Sequence, residues 1–299
     1  MPLQQLVEYF NDRLEQQHNS RFRPFILQEG EVKGFFGSIQ IGSRLLPIRD
    51  MNTAGRIIGY SAQLCVDSCL NHAEQQRKIE AAVTDVEPEH SSDSIINFDR
   101  LSRTVHMLNY LPKTHLDELL FLEVDPRHVL GVKADHGAYF EEVIIKCGLQ
   151  TERVVITLPL GREYLHFYPL LLKGLQNYQK RGYRLAVRIM AYGADDKAMM
   201  TLISRAGPDF VKLSATLGDH QRNERALENL QKIKRLVDTV HGRSILIDVD
   251  DQHTADWVRL AGFELAQGRH VEKMATDPSQ RQAVNGVVAQ MKIGRAAAR

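Results

Sequence analysis

The sequence predicts an α/β fold, a TIM-like (β/α) barrel preceded by an N-terminal helix and hairpin. Three observations carry this expectation. From residue 98 onward, short apolar strands alternate with helical patterns, at about 24 to 35 residues per unit. The strands are unbroken apolar runs, the pattern of parallel strands buried on both faces. Seven or eight such units close most naturally into a barrel, with an open doubly wound sheet as the alternative. No GxGxxG follows any strand and no P-loop pattern occurs, which removes the best support for a nucleotide-binding open sheet.

Taken in order, Leu3, Leu6, Val7, Phe10 and Leu14 recur at helical spacing and predict an amphipathic helix over 2–17. "FRPFILQ" and "GFFGSIQIG" flank the turn "EGEVK" and read as a hairpin. A strand at "RLLPI" and a second over 56–64 follow, separated by the turn-like "RDMNTAG". The polar run "DVEPEHSSDS" (85–94) reads as a loop. The repeating part then gives strands "LLFLEV" (119–124), "RVVITL" (153–158), "RLAVRIM" (184–190), "DFVKLS" (209–214) and "SILIDV" (244–249). Helical patterns lie at 137–147, 164–181, 195–205, 221–240 and 252–261, before "FELAQG". The resulting division is an extension over 1–42, a barrel over 43–275, and a C-terminal helix with a frayed tail over 276–299.

With 299 residues, 43% hydrophobic and 25% charged, the chain has the composition of a soluble globular protein with a sizeable core. A formal net charge of +1 gives no electrostatic basis for nucleic acid or an anionic membrane as partner. Cys65, Cys69 and Cys147 are odd in number and form no CxxC, which suits a reducing compartment. The N-terminus has no signal-type apolar run, and no 18-residue apolar stretch occurs, so a cytoplasmic location is expected.

Chemistry in a parallel barrel sits at the carboxyl ends of the strands. Here those positions hold Ser61, Gln63, Glu123, Asp125, Thr157, Arg188, Lys212, Ser214, Asp248, Asp250 and Asp251. Carboxylates with one lysine and one arginine suit a metal site, a phosphate site or a structural ion-pair network. Elsewhere, Cys65, Cys69 and His72 fall at i, i+4, i+7; they share one face of a helix, or hold a metal if a fourth ligand joins them. Trp257 reads as a core anchor. The basic run 173–188 reads as a solvated face or a surface for an acidic partner, and "HMLNYLP" (106–112) as helix core ended by proline.

Six local patterns, in order, resemble the EAL domain, a bacterial family whose active members hydrolyse cyclic di-GMP with divalent metals. "LPIRDMNTAGRIIGYSAQL" is similar to the family's opening pair of strands with its Gly-Tyr-Glu-Ala-Leu signature. "FDRLSRTVHML" resembles its Leu-Asp-Arg helix, "LFLEVDPRHVL" its Val-Asn-Leu-Ser-Pro segment, and "GLQTERVVITLP" its Glu-Leu-Thr-Glu strand. "GPDFVKLS" resembles the Asp-x-Leu-Lys-Ile-Asp strand, and "ILIDVDDQHTADWVRLAGFELAQG" the closing Glu-Gly-Val-Glu-Thr and Gln-Gly segment. The resemblance covers roughly residues 43–275. It implies a barrel of EAL type.

Carried over position by position, the resemblance implies a depleted centre. The signature Glu falls on Ser61, the metal-binding Asn on Glu123, and the first Glu of the Glu-Leu-Thr-Glu strand on Thr157. The adjacent Asp pair falls on Arg188 and Ile189. Lys212 keeps the family's lysine, and Asp248 and Asp251 occupy the two late Glu positions. A second register, through "GEVKGFFGSIQ", puts Phe36 at the signature Glu; either register lacks the acid. Hard cations need anionic oxygen ligands, and a guanidinium at the Asp pair opposes a dication. The dinucleotide-contacting Gln and Arg of the family fall on Leu46 and Cys65.

The expectation is therefore a degenerate, non-catalytic EAL-type regulator with no metal or cofactor. It would act on a regulatory protein partner in bacterial control of motility, biofilm or virulence. The alternatives are a cyclic di-GMP receptor that does not hydrolyse, although its contacts are eroded, and a residual phosphodiesterase using Glu123, Asp248 and Asp251 with one metal. The family's dimerising habit leaves room for a homodimer.

Overall fold

The computed structural model describes residues 2–18, 23–53, 55–66, 74, 77–81, 91–113, 117–132, 136–190, 197–215 and 224–273. Helix α1 (Leu3–His18) leads into strands β1 (Phe25–Gln28), β2 (Glu31–Phe36), β3 (Ile39–Asp50) and β4 (Arg56–Val66). After α2 (Ser91–Tyr110) come β5 (Leu119–Glu123), α3 (Pro126–Gly131), α4 (Ala138–Lys146), β6 (Val154–Leu160) and α5 (Tyr168–Lys180). The remainder is β7 (Arg184–Ile189), α6 (Lys197–Ala206), β8 (Phe210–Ser214), α7 (Glu224–Thr239), β9 (Arg243–Ile247), α8 (Gln252–Leu260), β10 (Leu265–Ala266) and α9 (Arg269–Lys273). No helix among the described residues is long and apolar enough to cross a membrane.

Strands β3 to β10 close into an eight-stranded mixed barrel, as the repeating pattern predicts. From β4 to β10 each strand runs parallel to the next. Strand β3 closes the ring by pairing antiparallel to both β4 and β10. The turn over 51–55 is too short for a crossover connection, so β3 and β4 must run in opposite directions. The all-parallel pattern therefore holds for every barrel strand except this one.

The N-terminal hairpin is a three-stranded meander. Its first turn is tighter than "EGEVK" suggests: Gln28 pairs with Glu31, and Glu29 (φ 52) and Gly30 (φ 82) make a two-residue left-handed turn. The run "GFFGSIQIG" is split between β2 and β3, and β3 continues unbroken into the barrel. The expected boundary at residue 42 thus falls inside a strand. Residues 85–90 of the expected loop lie outside the described residues, whereas 91–94 already open α2. The expected segment 276–299 also lies outside them.

Two hydrophobic layers follow from strand alternation. Ile48, Phe121, Val155, Ala186, Phe210, Ile245 and Leu265 fill the barrel interior, where the Phe121 and Phe210 rings meet edge-on at 5.0 Å. The opposite strand faces pack under the helices, with Met107, Leu108 and Tyr110 of α2 buried among them. Trp257, expected as a core anchor, is only half-buried and packs against this outer layer, and Lys173 and Lys180 on the basic run are exposed.

Polar side chains splice the meander to the barrel. The Asn11 amide donates to the Phe25 carbonyl and accepts the Phe25 N–H, so α1 occupies one position of the β1 edge. Asn109 does the same for Val32 of β2, at 2.8 Å to both its N–H and its carbonyl. The β2–β3 register ends at Gly34 opposite Ile41, so Asn109 takes up backbone groups that β3 no longer reaches. Nearby, the buried His106 ring meets Ser43 Oγ at 2.8 Å.

A second buried network joins α2, α3 and α4. Asp99 pairs with Arg103 and accepts the Asp125 N–H at 3.0 Å, the neutral His128 ring lies beside the same carboxylate, and the Arg103 guanidinium lies 3.6 Å over the Phe140 ring.

Asn109→Leu would leave the Val32 N–H and carbonyl unpaired in a half-buried site. Denaturant unfolding should show a loss of about 2 kcal/mol. A pH effect follows from His106, whose burial, with Arg103 adding to it, pushes its pKa down to about 4. The folded ring is neutral where the unfolded ring already binds a proton, so stability present above about pH 6.5 is lost as pH falls towards 4. His128, pushed down to about 2, acts in the same direction, and Asp99, pushed up to about 6 by burial, acts oppositely. Replacing His106 alone by Gln should flatten the decline in melting temperature between pH 6.5 and 4.

Candidate functional site

The same alternation that fills the barrel aims a set of polar side chains at its C-terminal mouth. Phe121, Val155, Ala186 and Phe210 belong to the inner layer, so residues two further on share their face. Those residues are Glu123, Thr157, Arg188 and Lys212, with Ser214 another step along β8. Ser61 of β4 completes the group by accepting a hydrogen bond from Lys212 Nζ at 2.9 Å.

Lys212 is 3% exposed, and its ammonium position lies 4.7 Å over the Phe121 ring. No carboxylate among the described residues forms an ion pair with it. Glu123 is instead committed to Arg188, at 2.7 Å, and Arg188 is the register neighbour of Lys212 on the adjacent strand. Burial pushes the Lys212 amine down to about 7; the Glu123 charge works against this and the Arg188 charge with it. Two donors near this cluster lack partners: the Thr157 hydroxyl, 1% exposed, and the buried Nε of Arg188.

The remaining anticipated residues are dispersed. Ile189 points away from the mouth into the outer hydrophobic layer, because consecutive strand residues face opposite sides. Asp248 (φ 62) accepts a short hydrogen bond from Ser214 Oγ. Asp251 is the N-cap of α8, accepting from Thr254 N–H at 2.6 Å and Thr254 Oγ1 at 2.8 Å. Asp250 accepts the Arg269 N–H at 2.9 Å, and Asp125 caps α3 while pairing with Arg127. Among the described residues, no group of three or more His, Cys, Asp or Glu converges as a metal site.

Leu46 sits opposite Ser61 in the β3–β4 register and Cys65 opposite Gly42, where β3 leaves the meander. Cys65 is on a strand, so a helical face shared with positions 69 and 72 does not form; Cys69 and His72 lie outside the described residues. Burial raises the Cys65 thiol pKa. Phe36 belongs to β2, outside the barrel ring, where it packs on Phe98 at 5.2 Å; the second register is thereby set aside.

Sequence reading missed a groove on the outer surface. It has a volume of about 360 Å³ and runs between α5 and α6, with Leu165, Tyr168, Pro169, Leu172 and Leu202 as its apolar lining. Lys197 and Arg205 stand among the lining residues, and no acid does among the described residues. Phe167 and Leu170 are exposed beside it, at 44% and 58%. The apolar residues around the opening of α5 were the available sequence signal, inside the stretch 164–181 read only for its helical pattern.

No protein-family model and no curated protein matches the sequence. Solved structures do match in fold. A calcium and cyclic di-GMP complex of BlrP1 from Klebsiella pneumoniae matches with a TM-score of 0.61 at 15% identity. The match covers 76% of this chain and 54% of that one, so this chain spans about half the length of that protein. A standalone EAL protein from Vibrio cholerae O395, in a form bound to cyclic di-GMP, matches with a TM-score of 0.58 at 16% identity, covering 77% and 90% of the two chains. The phosphodiesterase PaMucR, complexed with cyclic di-GMP, matches with a TM-score of 0.54 at 12% identity, covering 76% and 93%. The eight-stranded mixed barrel is the fold they share with this chain.

Lys212 has no ion pair among the described residues, so Lys212→Met removes none. Thermal unfolding should then shift by less than about 1 kcal/mol, whereas breaking a buried ion pair costs about 3–5 kcal/mol.

Proposed function

We propose that this chain is a degenerate EAL-type barrel that does not hydrolyse cyclic di-GMP and acts by binding a regulatory protein in cyclic di-GMP-related control. The observation that carries the reading is the Arg188–Glu123 pair at the mouth, beside a Lys212 that rests on Ser61. The resemblance gives the active family a carboxylate-rich centre for two divalent ions. The described residues do not fit that pair: Ser61 and Thr157 offer neutral oxygens, and Glu123 is already paired with a guanidinium. A dication placed there would meet Arg188 with a repulsion of several kcal/mol. The late acids support the same reading, since Asp251 caps a helix and Asp248 accepts from Ser214.

Protein binding is supported by the groove between α5 and α6, whose apolar floor and cationic lining suit a partner presenting apolar and acidic side chains. The contribution to motility, biofilm or virulence control rests on analogy of fold and family.

Purified protein with Mg(II) or Mn(II) should give no linearised dinucleotide from cyclic di-GMP, and sub-millimolar Mn(II) should leave the melting temperature unchanged. Turnover that disappears in Asp248→Ala would overturn the reading. For the partner, tagged protein recovered from its native cells should retain a stoichiometric companion, with or without cyclic di-GMP. Leu170→Glu with Arg205→Glu should abolish that retention without changing the melting temperature; both side chains are exposed. Retention undiminished by the double substitution would move the partner surface elsewhere.

A further inference from the structure

We infer that Lys212 is a covalent site for a small carbonyl compound bearing an anionic group, such as an α-oxo acid, which it holds as an imine. The starting point is an anomaly. Buried lysines are rare unless paired, and among the described residues this one has a serine hydroxyl and an aromatic face in place of a carboxylate. An ammonium ion so placed is poorly compensated, so burial raises the free-base share of the amine near neutral pH, and a desolvated free-base lysine is a nucleophile.

The surroundings supply what carbonyl capture requires. The amine lies at the mouth of a barrel, one strand from Arg188 in direct register. Ser61 Oγ, at 2.9 Å, fixes the direction of one Nζ bond. The guanidinium provides a carboxylate-recognising fork, and the two unpartnered buried donors, Arg188 Nε and the Thr157 hydroxyl, add capacity for the same anion. Glu123 is the most exposed member of the pair, at 44%, and is the group an incoming carboxylate displaces from Arg188. Once displaced, it is placed to carry protons.

The step balances without any further reagent. The Nζ lone pair forms a bond to the carbonyl carbon while the C=O π pair moves to oxygen, which takes a proton. The nitrogen then loses a proton to give the carbinolamine, whose hydroxyl takes a second proton and departs as water while the nitrogen lone pair forms the C=N bond, and the resulting iminium nitrogen loses its remaining proton to give the imine. Glu123 shuttles these protons. Amine and carbonyl become imine and water, with no change of oxidation state.

This inference rests on the metal-free mouth proposed above. The test uses the full chain treated with EDTA, glyoxylate as probe and cyanoborohydride to reduce any imine to a stable secondary amine at pH 7. Peptide mapping by mass spectrometry reads the site, with acetaldehyde as the neutral comparison. Lys212 should be labelled at least about tenfold faster than the average lysine, because each unit by which its pKa falls towards 7 raises the free-base fraction about tenfold. R188Q, checked for an unchanged fold by circular dichroism, should lose more of its glyoxylate labelling than of its acetaldehyde labelling. Label spread evenly over surface lysines, or absent from Lys212, would overturn the site. Equal losses with both aldehydes would overturn the role of Arg188. A melting temperature raised by Mn(II) would overturn the metal-free reading instead, so the two failures are distinguishable.

Discussion

The two-sided pairing of β3 is the constraint on which the rest of the molecule depends. By running antiparallel to both β4 and β10, this strand removes the open edges of the sheet and turns it into a closed ring. Closure fixes which strand faces point inwards. Once Phe121, Val155, Ala186 and Phe210 fill the interior, Glu123, Thr157, Arg188 and Lys212 have no other face to occupy. The same strand extends beyond the ring into the meander, so the extension and the barrel share backbone. Their junction is sealed by Asn11 and Asn109, each holding the N–H and carbonyl of one strand residue.

Within that frame, the mouth is organised by competition for few charges. Arg188 takes Glu123, and Lys212, in register with Arg188, is left with Ser61 and the Phe121 ring. Desolvation then governs its protonation, because the opposing influence of Glu123 is offset by the guanidinium between strands. The acids at the ends of the later strands serve local structure. Asp125 and Asp251 start helices, and Asp250 ties the loop between β9 and α8 to Arg269 at the start of α9. Among the described residues, a barrel mouth rich in acids by sequence therefore brings no group of three or more acids together.

Much of the fold was legible because its signals are local. Apolar runs at 154–160, 184–189 and 243–247 sit in strands buried on both faces, and the helical periodicities around 168–180 and 252–260 match α5 and α8. Features decided by pairing partners were not legible. The split of "GFFGSIQIG" into two strands depends on a turn at Gly37, and the β3 direction depends on what closes the ring. Cys65, Cys69 and His72 illustrate the same limit, since their helical spacing has no meaning once Cys65 is on β4. For the site, strand ends marked the right residues, but alternation separated Arg188 from Ile189, and capping withdrew Asp251.

The sequence by itself determined the layered (β/α) architecture and the residue types at the mouth, because burial on both faces demands apolar runs and strand ends are fixed by where those runs stop. Only the tertiary structure decided which charges meet. Ser61 and Lys212 are 151 positions apart, and Glu123 and Arg188 are 65 apart. Which acid neutralises Arg188, and which lysine is left without one, depends on distances set by the barrel's closure and register. Those distances do not exist along the chain.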